Sequence, residues 1–309
     1  MDVLANILGV TQLGNSLLCQ SELEPPWGLE VDAYTKAAVH LVQRGVCWLR
    51  VDGEQHALRL APGDVVLVAR GMRHTLTDDP KTPAEPYEQA IARMQRRLAS
   101  RRPSDPSASA VLLCAAYEFA EDGPHPLLAL LPRLIHIPVD AADDRGQLQS
   151  LVRLLLHEAS RNLSGSELVV PRLIDTLLVF IVRAWLEQQP EGGAGWFGAL
   201  RDPQIGRALA LIHEEPARNW SVALLANEVA QSRAAFARRF TALVGEPPLT
   251  YVTRWRMNLA VKQLRTTDVP LDSLAAQVGY DSSAAFGKAF TRYLRTSPGR
   301  YRAASRSRS

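Results

Sequence analysis

Two sets of residues in this 309-residue chain carry chemistry at positions that could work together. The first is His40, His74, Cys114 and His125: three imidazoles and a thiol, far apart in sequence. Zinc takes such a donor set. Barrel strands could gather these residues to hold a metal or to line a small-molecule pocket. The plainer alternative is that they are ordinary barrel and loop residues. The second set lies near the C-terminus, in two related segments, Val229–Phe240 (VAQSRAAFARRF) and Val278–Phe290 (VGYDSSAAFGKAF). Arg233 and Arg238 in the first, and Lys288 in the second with Arg292 just beyond it, are long cations. Such donors suit guanine edges and phosphate oxygens.

The charge balance isolates the second set. Residues 201–309 hold 17 Lys+Arg against 8 Asp+Glu, whereas residues 1–200 hold 18 against 24. A basic C-terminal third on an acidic body suggests a nucleic-acid module joined to something else.

The elements that would position those cations read as helices. Ser221 is a good N-cap before a stripe of Leu224, Leu225 and Val229, and Trp220 can pack back on Leu225. A break at Ala230–Gln231 precedes a second cap, Ser232, and a second stripe of Phe236, Phe240 and Leu243. Two short helices joined by a tight turn, the second basic, form a helix-turn-helix pattern. The segment recurs: Leu225, Ala226 and Val229 match Leu274, Ala275 and Val278. After one extra turn residue, Ser232, Phe236, Phe240, Pro248 and Tyr251 match Ser282, Phe286, Phe290, Pro298 and Tyr301. Between the copies, residues 249–266 read as one helix spanning roughly 27 Å. Two recognition helices on that spacer could sit about one DNA turn apart, ~34 Å.

Residues 203–302 resemble the DNA-binding domain of the AraC-type transcription regulators. The resemblance rests on WSVALLANEVAQSRAAFARRF, GEPPLTYVTRWRMNLAVKQL, VPLDSLAAQVGYDSSAAFGKAF and RTSPGRYR. It implies seven helices with two helix-turn-helix units, each placing its second helix in a major groove. With the phenylalanines inward, the outer faces carry Arg233, Ala234, Ala237, Arg238 and Thr241, then Ser283, Ala284, Gly287, Lys288 and Thr291. Family position points Ala234, Ala237 and Arg238 at base edges. Arg238 alone of these can contact guanine bidentately, and Lys288 is its counterpart. Arg239, Arg292, Arg300, Arg302, Arg306 and Arg308 are expected on phosphates. Arg254 and Arg256 could serve phosphates or internal bridges.

The first 80 residues read as β. VCWLRVDG (46–53) alternates Cys47, Leu49 and Val51 against Trp48, Arg50 and Asp52, the period of a half-buried strand. Short strands follow on both sides of Pro62-Gly63-Asp64, and SAVLLCAAYEF (109–119) returns to strand. This spacing predicts a barrel or sandwich. APGDVVLVARGMRHTL (61–76) resembles the second cupin motif, with His74 at its histidine, and His40 takes a histidine position of the first. The first motif's other His and its Glu are missing, which argues against the usual cupin metal centre and its chemistry. The whole chain resembles the AraC-type subfamily with an N-terminal cupin domain, through PPWGLEV, HLVQRGVCWLRVDG, APGDVVLVARGMRH, LLCAAYEF and HPLLALLPRLIHI. His40, Trp48, Arg70 and His74 are the expected effector-pocket residues, and Arg70 and Arg73 would favour an anionic or polar ligand.

The expected architecture is α+β. A cupin-like barrel (1–140) precedes a helical linker or dimerisation region (141–189) and a Pro- and Gly-rich flexible linker (190–202). The double helix-turn-helix domain (203–302) and a basic tail (303–309) complete it. Helices near 147–163 and 168–188 are apolar enough to pack on the barrel or to form a subunit interface. Three scattered cysteines form no disulfide framework, and no membrane span or signal peptide is expected. The expectation is a cytoplasmic, non-enzymatic, homodimeric regulator of promoter DNA that works with RNA polymerase and a small effector or zinc. The alternatives are an effector-independent regulator with a scaffolding barrel, and a cupin enzyme with an attached DNA-binding domain.

Overall fold

The computed structural model describes Val3 and residues 13–32, 37–69, 71–100, 109–119, 131–138, 146–161, 163–189 and 196–306. They divide into two compact units, one of strands with flanking helices and one of helices alone.

Ten strands among the described residues build the first unit. They are β1 Leu13–Leu23, β2 Gly28–Val31, β3 Ala37–Arg44, β4 Cys47–Val51, β5 Leu58–Leu60, β6 Val65–Ala69, β7 His74–Thr77, β8 Glu85–Pro86, β9 Ala110–Phe119 and β10 Leu134–Ile137. They pair as two five-stranded sheets, β1-β9-β3-β6-β10 and β5-β4-β7-β2-β8. Period-two alternation sets the core: Cys47, Leu49 and Val51 of β4 are buried while Arg50 is exposed. β6 (VVLVA) is apolar throughout and buried throughout. The Pro62-Gly63-Asp64 turn carries the chain from one sheet to the other. Gly63 supplies φ +92°, and the Asp64 carboxylate accepts the Ala61 N–H at 3.0 Å.

Three helices belong to this unit: α1 Tyr87–Ser100, α2 Gly146–Arg161 and α3 Ser166–Glu187. The apolar face of α3, with Ile174, Leu177, Leu178 and Ile181 buried, packs beside β1 and β10. The buried Tyr117 hydroxyl of β9 donates to the Ile174 carbonyl at 2.7 Å. Packing on the chain's own β unit therefore accounts for most of that face.

The second unit consists of α4 Trp196–Arg201, α5 Pro203–Glu214, α6 Val222–Glu228, α7 Arg233–Val244, α8 Pro248–Thr266, α9 Leu271–Gln277, α10 Ser283–Leu294 and α11 Pro298–Arg306. The seven helices expected from Pro203 onward are present. α4 was not expected: a flexible linker was predicted over 190–202, yet 196–201 is helical and its Ala199 is fully buried. Residues 190–195 lie outside the described residues. Gly206 permits the contact, because a Cβ there would stand 2.7 Å from the Leu200 carbonyl oxygen. Two stripe positions also differ. Leu224 and Leu243 are half-buried, and Ala226 and Val244 are the buried residues in their place.

Candidate nucleic-acid interface and barrel cavity

The two helix-turn-helix copies are assembled by the same devices. Ser232 Oγ caps α7 by accepting the Ala235 N–H at 3.3 Å, and Ser282 Oγ caps α10 by accepting the Ala285 N–H at 3.1 Å. Each turn passes through one left-handed residue, Ala230 (φ +52°) or Gly279 (φ +78°). The next residue's N–H closes the turn, Gln231 on the Ala226 carbonyl at 2.9 Å and Tyr280 on the Ala275 carbonyl at 2.8 Å. The aromatic cores repeat: Phe236–Phe240 and Phe286–Phe290 centroids are both 5.5 Å apart. Phe240–Tyr251 and Phe290–Tyr301 stand at 5.8 and 5.7 Å.

That scaffold fixes the outer faces. Arg233, Ala234 and Arg238 are exposed on α7, with Ala237 half-buried. Ala284, Lys288 and Arg292 are exposed on α10, with Ser283 and Gly287 half-buried. Among the described residues, none of Arg233, Arg238, Lys288 and Arg292 has an ion pair or a side-chain hydrogen bond. Their charges are free to meet an anion.

Other arginines are committed internally, which corrects two expectations. Arg239 pairs with Asp202 at 2.5 Å and donates to Gln204 Oε1 at 3.2 Å, so it is an internal strut rather than a phosphate ligand. Arg302 donates to the Val269 carbonyl at 2.6 Å. Arg308 lies outside the described residues. The open question about α8 resolves towards internal bridges. Arg254 pairs with Glu246 at 2.6 Å. Arg256 donates to the carbonyls of Pro216, Arg218 and Gly279 at 2.8, 2.9 and 3.0 Å, pinning the first half of the unit to the second.

The other candidate site is inside the barrel. Register sets Cys19 of β1 opposite Cys114 of β9, and Cys114 opposite His40 of β3. His74 reaches this row from the facing sheet. His40 Nδ1 stands 3.1 Å from Cys114 Sγ, His40 Nε2 stands 2.7 Å from His74 Nε2, and His74 Nδ1 stands 2.8 Å from the Met72 carbonyl. A carbonyl only accepts, so the tautomers follow in series. His74 donates from Nδ1 to Met72. His40 then donates from Nε2 to His74, which leaves the lone pair of His40 Nδ1 facing Cys114 Sγ. Burial, with each ring near the other, holds His40 well below the ordinary imidazole range, and burial lowers His74 as well.

A row of apolar residues completes a cavity of about 280 Å³ around Cys19, His40, Tyr87 and Cys114, with Leu18, Leu29, Val31, Leu76 and Ala115 in its wall. The expected pocket residues divide. His40 lines this cavity and His74 stands behind it. Trp48 does not line it, because it occupies the face of β4 opposite the buried Cys47 and Leu49. Arg70 lies outside the described residues. Arg73, which suggested an anionic ligand, is held outside by Glu30 and Asp32. The lining is apolar instead. Sequence reasoning missed Cys19 and Tyr87, whose only signal was β1–β9 pairing and the start of a helix.

His40, His74 and Cys114 do meet, but not as a metal centre. His40 directs one ring nitrogen at Cys114 and the other at His74, so no single ion touches all three donors. Among the described residues no group of three His, Cys, Asp or Glu is arranged to hold a metal. His125 lies outside them.

Comparison with known proteins agrees with both units. The cupin family matches residues 2–187, and a helix-turn-helix domain family matches residues 225–304. A Streptomyces lividans protein described as an AraC-like transcription regulator is 34% identical over 302 residues, covering 98% of each chain. The HTH-type transcriptional regulator MtrA of Neisseria gonorrhoeae is 29% identical over 304 residues, again covering 98% of each. Among solved structures, the DNA-binding domain of AdpA in complex with a target DNA is 36% identical, covering 35% of this chain and 96% of that one, at a TM-score of 0.33. With a cupin barrel at its N-terminus and paired helix-turn-helix units at its C-terminus, this DNA-binding regulator belongs to the AraC-like transcription regulators.

Proposed function

We propose that α7 and α10 enter successive major grooves of promoter DNA and that the barrel cavity takes a small, mostly apolar effector. The observation that carries the first part is the pair of equivalent, exposed helix faces whose cations lack internal partners, on a frame where Arg239, Arg254, Arg256 and Arg302 are engaged internally. Arg238 then reads a base edge, with Ala234 and Ala237 close to the groove floor. Ser283, Ala284, Gly287 and Lys288 form the second face, and Arg233 and Arg292 hold phosphates. The cavity's apolar wall, with Tyr87 and His40 as its polar points, supports the effector class. An effector acts by binding the DNA-competent and incompetent arrangements with different affinity.

The same reading makes the protein a cytoplasmic homodimer that acts with RNA polymerase and catalyses nothing. Exposed Leu154 of α2, Leu163 and Leu168 support a dimer contact beside the barrel. The barrel's histidines, engaged with each other and with Cys114, support a non-catalytic role. No described helix is long and apolar enough to cross a membrane.

Genome-wide footprinting with the purified protein tests the DNA reading. Protected sites should show two major-groove contacts about one turn, ~34 Å, apart on one face of the duplex. Protection without sequence preference would sink it. For the cavity, a panel of small apolar acids, phenols and hydrocarbons should contain compounds that raise the melting temperature of the wild-type protein but not of a Leu76→Trp variant.

A further inference from the structure

We propose that Cys19 and Cys114 form an oxidation site that closes to an intramolecular disulfide when the protein meets a two-electron oxidant of the peroxide class. The argument is geometric. The two cysteines stand directly opposite each other on antiparallel neighbours, so their side chains share one face. Directly opposed residues have Cα atoms about 4.5–5.5 Å apart, inside the roughly 4.4–6.8 Å window a disulfide accepts. Both line the same cavity, so an oxidant entering it meets both sulfurs.

Each sulfur has a neighbour suited to its part. The Tyr87 hydroxyl donates to Cys19 Sγ at 3.0 Å, which stabilises a thiolate there. Cys114 stands 3.1 Å from His40 Nδ1, the lone-pair nitrogen of the histidine series. The hydrogen bond from Cys114, with that of Tyr87, draws the Cys19 thiol down to about 6 against the effect of burial, while the same contact and burial push Cys114 up. The third cysteine, Cys47, is buried in the facing sheet and pushed up to about 12 by burial and by Asp64. It serves as an internal control.

The chemistry balances in two steps. Cys19 sulfur attacks one peroxide oxygen and the O–O bond breaks. That oxygen stays as a sulfenic OH, and the other leaves as hydroxide and takes a proton to become water. Cys114 sulfur then attacks the sulfenic sulfur and the S–O bond breaks. The Cys114 proton passes to His40 Nδ1 and leaves with the departing hydroxide as a second water. Two thiols lose two electrons and one peroxide gains them.

The test is peptide mapping of the full-length, pre-reduced protein after stoichiometric hydrogen peroxide, with free thiols alkylated and no reductant added. The expected result is a Cys19 peptide joined to a Cys114 peptide, with Cys47 still alkylated. Cys114→Ser should instead leave Cys19 as a sulfenic acid captured by dimedone. Cys19→Ser should lose the linked peptide and the dimedone label. Two results overturn the proposal: both cysteines still alkylated after the peroxide is consumed, or Cys19 joined only to Cys47 or to another copy's Cys19. The wild-type map decides even if a variant misfolds, and it depends on no property of DNA binding.

Discussion

The two helix-turn-helix copies share a backbone but place their glycines at opposite ends of it. In the first, the left-handed turn residue is Ala230 and the left-handed C-cap of α7 is Gly245. In the second, the turn is Gly279 and the cap of α10 is Arg295. Their surroundings explain why the turn glycine is not optional in the second copy. A Cβ on Gly279 would stand 2.6 Å from the Arg256 guanidinium and 2.9 Å from Ala217 Cα, whereas one on Gly245 meets nothing within 4 Å. Gly245 supplies a backbone angle; Gly279 supplies an angle and a space, and that space admits the arginine that ties the halves together.

The largest effect should therefore come from Gly279→Ala. The left-handed conformation costs a side chain about 1–2 kcal/mol, and displacing Arg256 loses charge-assisted bonds to backbone carbonyls. We expect a total loss of about 3 kcal/mol, against about 1 kcal/mol for Gly245→Ala. Urea unfolding followed by far-ultraviolet circular dichroism measures both. Equal losses would show that crowding by Arg256 does not distinguish the copies.

The outer faces differ as the scaffolds do not. Arg233, Ala237 and Arg238 of α7 correspond to Ser283, Gly287 and Lys288 of α10, so only the first carries a guanidinium fork where base edges are expected. Arg238→Ala should cost about 1–3 kcal/mol of binding on the preferred site and relax preference at one base position. Lys288→Ala should weaken all sequences by about 1 kcal/mol and lower the salt slope by about one ion. Mobility-shift titrations across salt concentrations and single-base variants separate the two. The division of labour is wrong if Lys288→Ala relaxes specificity as much as Arg238→Ala.

These faces were legible because one chemistry sets them. Serine caps and phenylalanines four residues apart fix which way a short helix points, and that leaves Arg238 and Lys288 outside. Arg239 was not legible: its partner Asp202 lies 37 residues away at the start of another helix. Its neighbour Arg238, identical in type, stays exposed. In the barrel, the alternation of β4 separated Trp48 from Cys47, and that pattern alone excludes Trp48 from the cavity. Cys19 lay beyond sequence reasoning, because the β1–β9 register that sets it opposite Cys114 comes from pairing across nearly the whole barrel sequence. α4 was hidden by its glycine-rich approach, and only the close contact at Gly206 explains its docking.

A smaller effect concerns protons. The first half of the helical unit buries His213, whose Nε2 stands 2.8 Å from the Tyr251 hydroxyl and whose ring stacks on Trp255 at 3.8 Å. Burial, aided by Arg254, draws it down from 6.5 to about 3. The unfolded chain then binds the extra proton between those values, so stability is full above about 6.5 and falls as the pH drops towards about 3. The second copy, from Leu271 on, contains no histidine. At pH 5 we expect the first half to lose about 2 kcal/mol that the second keeps. Hydrogen exchange read by mass spectrometry should show α5–α7 losing protection before α9–α10, and His213→Gln should shrink the difference. Parallel loss in wild type and variant would remove His213 as the cause.

The smallest effect tests the glycine exchange from its other side. Ala230 pays for its left-handed angle with its Cβ, and Arg295 does the same at the second cap with φ +58°. Ala230→Gly and Arg295→Gly each relieve that angle but give the unfolded chain more freedom, so the two terms partly cancel. A net gain of about 0.5 kcal/mol is expected at each position, read as a small rise in the urea midpoint with an unchanged slope. Putting both glycines into one protein should add the gains, because the two sites lie in different halves and Arg256, the side chain that joins those halves, bonds to Pro216, Arg218 and Gly279 and to neither site. A combined change well above that sum would mean the two halves communicate through α8, and the copies would then be one cooperative scaffold rather than two.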